Sequence, residues 1–128
     1  MSYNNSIEYQ LTQWGIWVRT QQGIPRYVSP AWAMMRDNVQ LNRDPDANIT
    51  EEDALRIDRA IAALNLVNEM RAVAVWTYYR YQGMSYRRLG QLMGIHADTA
   101  GNLVIAGAAW IEGAITYSEE TRRAVIYS

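Results

Sequence analysis

Apolar residues recur near the start of the chain at the spacing of one helix face. Four of them stand at i, i+4, i+7 and i+11: Ile7, Leu11, Trp14 and Val18. Because these positions fall on one side of a helix with 3.6 residues per turn, they predict a helix over residues 6–20. Gly23 and Pro25 should end it. Ser29-Pro30 then predicts the cap and first turn of a short second helix.

Capping residues mark two helix starts in the second half of the chain. Thr50 stands three residues before Asp53, which is close to a capping box, and Asn68 can cap the following helix. The first of these helices should bury an apolar stripe made of Ile57, Ala60, Ile61 and Leu64. The second should bury one face and end at Gly83 in the left-handed C′ position. That face consists of Met70, Val73, Ala74, Thr77, Tyr78 and Tyr81.

A short helix, a glycine turn and a longer helix follow, which is the order of a helix-turn-helix. Ser85 is the expected cap of the short helix, and Gly94 permits the tight turn. The longer helix is predicted from Ala97 to Ile115, with Ser118 capping a brief terminal helix. In a DNA-binding motif of this kind the second helix lies in a major groove.

These elements predict an all-α protein, a compact helical domain of five to six helices with a carboxyl-terminal helix-turn-helix at residues 85–115. We expect a single domain, because a chain of 128 residues can bury an ordinary core. A polar loop at residues 37–49 should separate its first two parts. The domain has three parts. Residues 1–48 form a Trp-rich amino-terminal part, residues 49–115 form a helical core, and residues 116–128 form a short tail or helix.

Composition excludes several classes of function. The chain has no cysteine and one histidine, which excludes disulfides, thiolate metal sites and cysteine nucleophiles. The sequence shows no glycine-rich phosphate loop and no metal-ligand spacing, so we expect neither an enzyme nor a cofactor. It shows no secretory signal and no apolar run of about 20 residues. We therefore expect a soluble protein without a membrane partner.

The distribution of charge indicates one basic stretch. Net charge is −1, but residues 71–95 carry four arginines and no acidic residue, between two acidic stretches. These arginines are Arg71, Arg80, Arg87 and Arg88. Tyr86, Arg87 and Arg88 lie in the first helix of the predicted motif, where side chains face phosphates. If these side chains neutralised three or four phosphates, the logarithm of the DNA association constant would fall with the logarithm of the salt concentration, at a slope of roughly −3 to −4. A solvated helix face is the alternative interpretation.

The second helix of the motif has no basic residue at its expected exposed positions. Asn102 could contact adenine and Thr99 a thymine methyl group, while Asp98 would repel phosphate or accept a hydrogen bond from cytosine. His96, just before this helix, is a candidate base contact or an ordinary cap. The helix also carries a surface nearly bare of side chains, which permits close approach of another helix within the protein or in self-association. That surface consists of Gly101, Ala106, Gly107, Ala108 and Ala109.

Five tryptophans and nine tyrosines, without phenylalanine, raise the alternative of base stacking. One or two rings near Arg80 should face outward, among Tyr78, Tyr79 and Tyr81. Most tryptophans fit apolar helix patterns and are predicted to lie in the core: Trp14, Trp32, Trp76 and Trp110.

Several segments match, in order, the pattern of one protein family. They are Leu11-x-x-Trp14-Gly15-x-Trp17-x-Arg19, Tyr27 with Ser29-Pro30, Ile49 to Ala60 (ITEEDALRIDRA), Tyr78-Tyr79, Ser85-Tyr86-Arg87, and Ala106 to Gly113 (AGAAWIEG). Over residues 7–115 the chain resembles the phage late-gene antitermination Q proteins of the shorter, zinc-free type.

The resemblance implies a protein of the host bacterial cytoplasm that binds double-stranded DNA near a late promoter. It implies engagement of RNA polymerase paused there with sigma factor, followed by a ring-like extension of the RNA exit channel that keeps terminator hairpins from forming. The family's helix-turn-helix resembles sigma region four. This chain differs from the family pattern in its second helix, where basic residues are frequent. That difference favours a DNA contact that polymerase stabilises.

Two other functions stay open at the level of sequence. A helix-turn-helix regulator that acts without polymerase would bind an operator tightly by itself. A helical phage protein that binds a host protein would use the motif as scaffold, and the net charge of −1 favours this alternative.

Overall fold

A computed structural model describes residues 6–20 and 47–127, and within them five helices and no strand. The helices are α1 (Ile7–Thr20), α2 (Glu51–Val67), α3 (Glu69–Arg80), α4 (Tyr86–Met93) and α5 (Ala97–Tyr127). The all-α prediction is confirmed. The short helix expected at Ser29-Pro30, with Trp32, lies outside the described residues. None of the described helices is long and apolar enough to span a membrane.

Side-chain caps begin α2, α3 and α4, as predicted. In each helix the oxygen of the cap accepts a hydrogen bond of 3.1 Å from a backbone N–H of the first turn. The caps are Thr50, Asn68 and Ser85. Asn68 also ends α2, because its own N–H donates to the carbonyl of Leu64 at 2.7 Å. One asparagine thus satisfies backbone groups of two helices, whose ends would otherwise lack partners.

The central helix is α3, which contacts each of the other four described helices. Its buried residues surround the helix: Ala72, Ala74, Val75, Trp76, Thr77 and Arg80. The predicted single buried face was therefore wrong, since Met70 is 46% exposed while Trp76 is fully buried. A helix covered on all sides carries no amphipathic stripe from which one face can be predicted.

The carboxyl end of α3 packs on α1. A Cβ atom at Gly15 would collide with the carbonyl oxygen of Tyr79, so only glycine permits this approach. One turn later, Arg19 donates to the carbonyl oxygens of Tyr79 at 3.5 Å and Arg80 at 3.0 Å. These carbonyls lack partners within their own helix, and a cation is favourable at that end. Trp14, beside Gly15, is fully buried as predicted.

The turn after α3 differs from its prediction. α3 ends at Arg80, and Tyr81 is an extended C-cap. Gly83 has the expected positive φ, +75°, but stands one position beyond the observed C′ residue, Gln82. The glycine therefore shapes the loop toward Ser85 and does not itself end the helix.

The last helix is longer than predicted. The sequence suggested an end near Ile115 and a separate helix from Ser118, but α5 continues to Tyr127 without a break. No glycine or proline interrupts this stretch. Arg56 of α2 holds it through an ion pair with Glu119 at 2.9 Å. This contact joins residues 63 positions apart, so no local pattern could reveal it.

Small residues bring α5 close to α3. A Cβ at Gly107 would collide with the side chain of Val75 and lie 3.1 Å from the carbonyl oxygen of Arg71. Ala108 is also buried, whereas Ala109 is exposed. The predicted single bare surface was therefore wrong. Internal packing accounts for Gly107 and Ala108, and Ala109 faces away from the bundle.

Candidate nucleic-acid interface

A three-residue turn joins α4 to α5. Gly94, the C-cap of α4, has φ +72° and ψ +32°, the left-handed conformation that glycine adopts without steric cost. The N–H of Ile95 donates to the carbonyl of Gly90 at 2.9 Å, and that of Gly94 donates to Gln91 at 3.4 Å. These bonds use carbonyls that the end of α4 would otherwise leave unpaired, and they set where α5 begins.

Gly90 sets the distance between α4 and the turn. A Cβ there would lie 2.7 Å from the carbonyl oxygen of Ile95 and 3.2 Å from the backbone nitrogen of Ala97. An apolar cluster then holds the two helices against α3: Ala74, Leu89, Ala100 and Val104. Sequence reasoning missed Gly90, although a glycine inside a short helix is itself a sign of close packing.

Tyr86 aligns α4 on α5. A Cβ at Gly101 would lie 2.8 Å from Cδ2 of the Tyr86 ring, so the ring packs directly on that glycine. The ring also tilts against Tyr78, with centroids 5.0 Å apart and planes at 35°. Burial raises the pKa of Tyr86, and the charge and hydrogen bond of Tyr78 raise it further. Tyr86 therefore stays protonated and is largely committed to packing, although 37% of it is exposed.

The first turn of α4 presents two exposed cations. Arg87 and Arg88 are exposed, as is Gln91, while Leu89 and Gly90 are buried. No acidic residue occurs between residues 71 and 95 to neutralise these arginines. Both arginines thus lie at the surface at the start of α4, where phosphates could reach them.

The first turns of α5 expose groups that could contact bases. Thr99 and Asn102 are exposed, and the Asp98 side chain is 92% exposed. Asp98 and Asn102 share one side of the helix, because they are four residues apart. Buried Ala100 and Val104 lie on the other side. This surface offers hydrogen-bonding groups and one negative charge, and it carries no arginine.

His96 caps α5. Its Nδ1 accepts a hydrogen bond from the backbone N–H of Asp98 at 3.1 Å. The Asp98 carboxylate lies 3.8 Å from the same nitrogen. The interpretation of His96 as a cap is confirmed, and its side chain is 76% exposed beside Asp98.

Arg71 and Arg80 do not join this surface. Arg80 is only 6% exposed, and its guanidinium carbon lies 5.2 Å from the centroid of the Tyr81 ring. We therefore correct the expectation that Arg80 contacts nucleic acid, because a buried guanidinium cannot reach a phosphate. Arg71 is half-buried in the first turn of α3, where its carbonyl adjoins Gly107 in the middle of α5.

The tyrosines at the end of α3 belong to the interior. Burial raises the pKa of Tyr79 to about 12, and Tyr78 and Glu8 add to the effect. Burial also raises the pKa of Tyr81 to about 12, against the lowering effect of Arg80. Tyr78 and Tyr79 are half-buried and Tyr81 is buried, so the expected outward-facing ring was wrong.

Comparison with known proteins adds one match. The sequence model of the family described as phage antitermination protein Q matches residues 4–123, nearly the whole chain. No curated protein and no solved structure matches the chain. The family match therefore bears on the general role, and the geometry bears on individual residues.

Proposed function

We propose a function for this chain, which belongs to the phage antitermination protein Q family. The protein binds DNA near a late promoter and modifies RNA polymerase so that transcription passes terminators. Family membership supports the role in antitermination. The finer parts of the proposal are the DNA contact through α4 and α5 and the action on polymerase. The protein would act by binding, in the host bacterial cytoplasm, and not by catalysis.

The observation that carries the DNA contact is the exposure of Arg87 and Arg88 in the first turn of α4, the first helix of a tight two-helix unit. In a helix-turn-helix the first helix crosses the phosphate backbone, which is where cations are effective. Since Arg80 is buried and Arg71 is half-buried in α3, two strong phosphate contacts are expected in place of three or four. The expected salt slope becomes about −2, because each neutralised phosphate contributes about −0.9.

In the same arrangement the start of α5 would face the major groove. Asn102 can donate to and accept from adenine, and the Thr99 methyl group can contact a thymine methyl. The exposed His96 ring can form a hydrogen bond with a base or a phosphate. Asp98 opposes this binding, because its exposed carboxylate approaches the phosphates. The α4–α5 unit would therefore bind DNA weakly by itself.

Weak DNA binding fits a protein that works together with polymerase. When one protein holds both DNA and a polymerase on that DNA, the second contact forms at a high effective concentration. Modest contacts are then sufficient, and the protein acts only where both partners are present. This selectivity is what an antiterminator tied to one promoter requires.

A defined transcription reaction tests the proposal. Bacterial RNA polymerase with its sigma factor transcribes the phage's late promoter followed by an intrinsic terminator, with and without the protein. We expect greater read-through with the protein, and no change on a template that carries an unrelated promoter. Unchanged read-through on the late-promoter template would contradict the proposal.

One observation favours the alternative of a helical phage protein that binds a host protein. The corner between α2 and α3 exposes three large apolar residues: Leu66 at 88%, Val67 at 66% and Met70 at 46%. If this corner alone carried the function, Leu66→Ser would abolish the effect on transcription and the double change Arg87→Ala, Arg88→Ala would not. The proposed function predicts a loss with the double change.

A further inference from the structure

The exposed side of α5 is uncharged along its middle. Asp98 lies in the first turn, and no charged residue follows before Glu112. Between them, on the exposed side, stand Thr99, Asn102 and Ile105. Ile105 is 61% exposed, although isoleucine is among the residues that proteins most often bury. A large apolar side chain therefore projects from the helix that is proposed to contact bases.

Thr99, Asn102 and Ile105 form one row across the exposed side of α5. Each stands three residues from the next, and residues three apart are neighbours on a helix. Asn102 is the middle of the row, and Ile105 follows it toward the carboxyl end. A helix that brings Asn102 to the edge of a base in the major groove therefore brings Ile105 into the same groove.

We propose that Ile105 is a specificity-determining residue that contacts the 5-methyl group of a thymine in the major groove. This inference rests on the proposed function, and it names the kind of duplex that α5 selects. The edges of the base pairs in that groove present hydrogen-bonding groups, and the thymine methyl group is their apolar feature. The Ile105 side chain has no polar atom, so it gains free energy only where apolar surface leaves water.

The row as a whole selects A·T pairs. Thr99 and Ile105 carry methyl groups that suit thymine, and the amide of Asn102 between them suits adenine. Thr99 and Ile105 are about 9 Å apart along the helix axis, since each residue adds about 1.5 Å. Base pairs rise by about 3.4 Å, so the two thymines lie within about three base pairs of each other.

The packing of α5 presents Ile105 at the surface and leaves room around it. Val104, the preceding residue, is 1% exposed and belongs to the apolar cluster that also contains Leu89 of α4. Ala106 and Ala109 lie next to Ile105 and end at Cβ, so they do not hold the helix away from the bases. The fold therefore fixes Ile105 relative to the helix that carries the exposed arginines.

This contact contributes selectivity in a way that the arginines of α4 do not. Arg87 and Arg88 attract any duplex, and salt weakens that attraction because counterions compete for the phosphates. The contact between Ile105 and a methyl group involves no charge, so it has no such dependence on salt. Removing it should change the preference between duplexes and leave the salt slope of binding unchanged.

Replacing thymine with deoxyuridine tests the contact, because it removes the methyl group and keeps the base pair. Fluorescence anisotropy compares a labelled late-promoter duplex with the same duplex containing deoxyuridine in place of every thymine. Each buried methyl group is worth about fourfold in affinity. With contacts from Thr99 and Ile105, the full chain should bind the deoxyuridine duplex roughly fifteenfold more weakly, twice multiplying that factor.

Variants assign the effect to Ile105. Ile105→Ala should bind the thymine duplex about fourfold more weakly and the deoxyuridine duplex as the unchanged chain does, so the ratio of the two dissociation constants falls about fourfold. Ile105→Val, which keeps a branched side chain, should restore most of the ratio. Leu66→Ala is the matched control, since it shortens an exposed aliphatic residue outside α5 and should leave both dissociation constants unchanged.

Two results would overturn the thymine contact alone: equal affinity of the unchanged chain for the two duplexes, or a ratio that Ile105→Ala leaves as it was. If Ile105→Ala lowered terminator read-through without changing that ratio, Ile105 would contact a protein partner, and the thymine contact would again be wrong. If the unchanged chain bound neither duplex even at low salt, the DNA contact of the proposed function would fail together with this inference. DNA binding without methyl dependence and absence of DNA binding thus separate the two failures.

Discussion

The two helices that flank the Gly94 turn differ sharply in charge, although three residues separate them. α4 exposes Arg87 and Arg88 and contains no acid, while α5 carries Asp98 in its first turn and has no arginine or lysine before Arg122. Under the proposed function, α4 attracts the phosphates of any duplex, and α5 offers hydrogen-bonding groups while repelling phosphates. The difference teaches that, in the proposed function, attraction to DNA and contact with bases would be divided between separate helices of one unit. Both helices would then have to contact the same duplex, so their relative position would matter most.

The largest effect is expected from changing the position of α4 relative to α5. Gly90→Val should lower the free energy of unfolding by about 2 kcal/mol or more, because a new side chain must displace the turn backbone. DNA binding should fall with it, since α4 and α5 could no longer meet one duplex together. Urea denaturation measures the first change and fluorescence anisotropy with labelled DNA the second.

Gly113→Ala is the matched control, since it also adds a Cβ to a helical glycine but in open space. It should raise the free energy of unfolding by about 0.5–1 kcal/mol. If Gly90→Val were as stable as the unchanged chain, the close contact between α4 and the turn would not exist in solution.

An intermediate effect is expected from removing the cations of α4. The double change Arg87→Ala, Arg88→Ala should reduce the salt slope of DNA binding by about 2 and lower read-through of the terminator. The free energy of unfolding should change by less than about 0.5 kcal/mol, since both side chains are exposed. DNA titrations at several salt concentrations measure the slope.

Arg59→Ala removes an exposed cation from α2 and serves as the control, with no expected change in slope. An unchanged slope in the double variant would show that α4 does not face phosphates. The difference in charge between α4 and α5 would then have no role in DNA binding.

The smallest effect is expected at the start of α5. Asp98→Asn should strengthen DNA binding roughly fivefold, because one charge near a phosphate contributes about 1 kcal/mol in water. The free energy of unfolding should fall by about 0.3–1 kcal/mol, since an acid near a helix start is favourable. Anisotropy and urea denaturation measure these opposite changes. Weaker DNA binding in this variant would indicate that the Asp98 carboxylate makes a favourable contact.

Features set by a few neighbouring residues could be predicted. Thr50, Asn68 and Ser85 are caps, as their positions indicated, because the donor and acceptor of each bond lie three residues apart. The left-handed turn at Gly94 was predictable for the same reason. The exposure of Arg87 and Arg88 follows from their place opposite the apolar residues of a short amphipathic helix.

Features set by distant residues could not be predicted. Arg80 belongs to the same basic stretch as Arg87, yet it is buried, because α3 is enclosed by other helices. The sequence shows the charge of Arg80 but not which helices will surround it. Gly15 likewise looks like an ordinary helical glycine until the Tyr79 carbonyl is seen against it.

The sequence by itself determined the helical elements, most of their starting points and the location of the basic stretch, because these depend on spacing and hydrogen bonds within a few residues. The tertiary structure alone decided that Arg80 is buried and how closely α1 approaches α3 at Gly15. It also decided that α5 continues past Ile115, where Glu119 binds Arg56. The physical reason is that burial and close packing are properties of pairs of elements, and residues far apart in the chain supply the two partners.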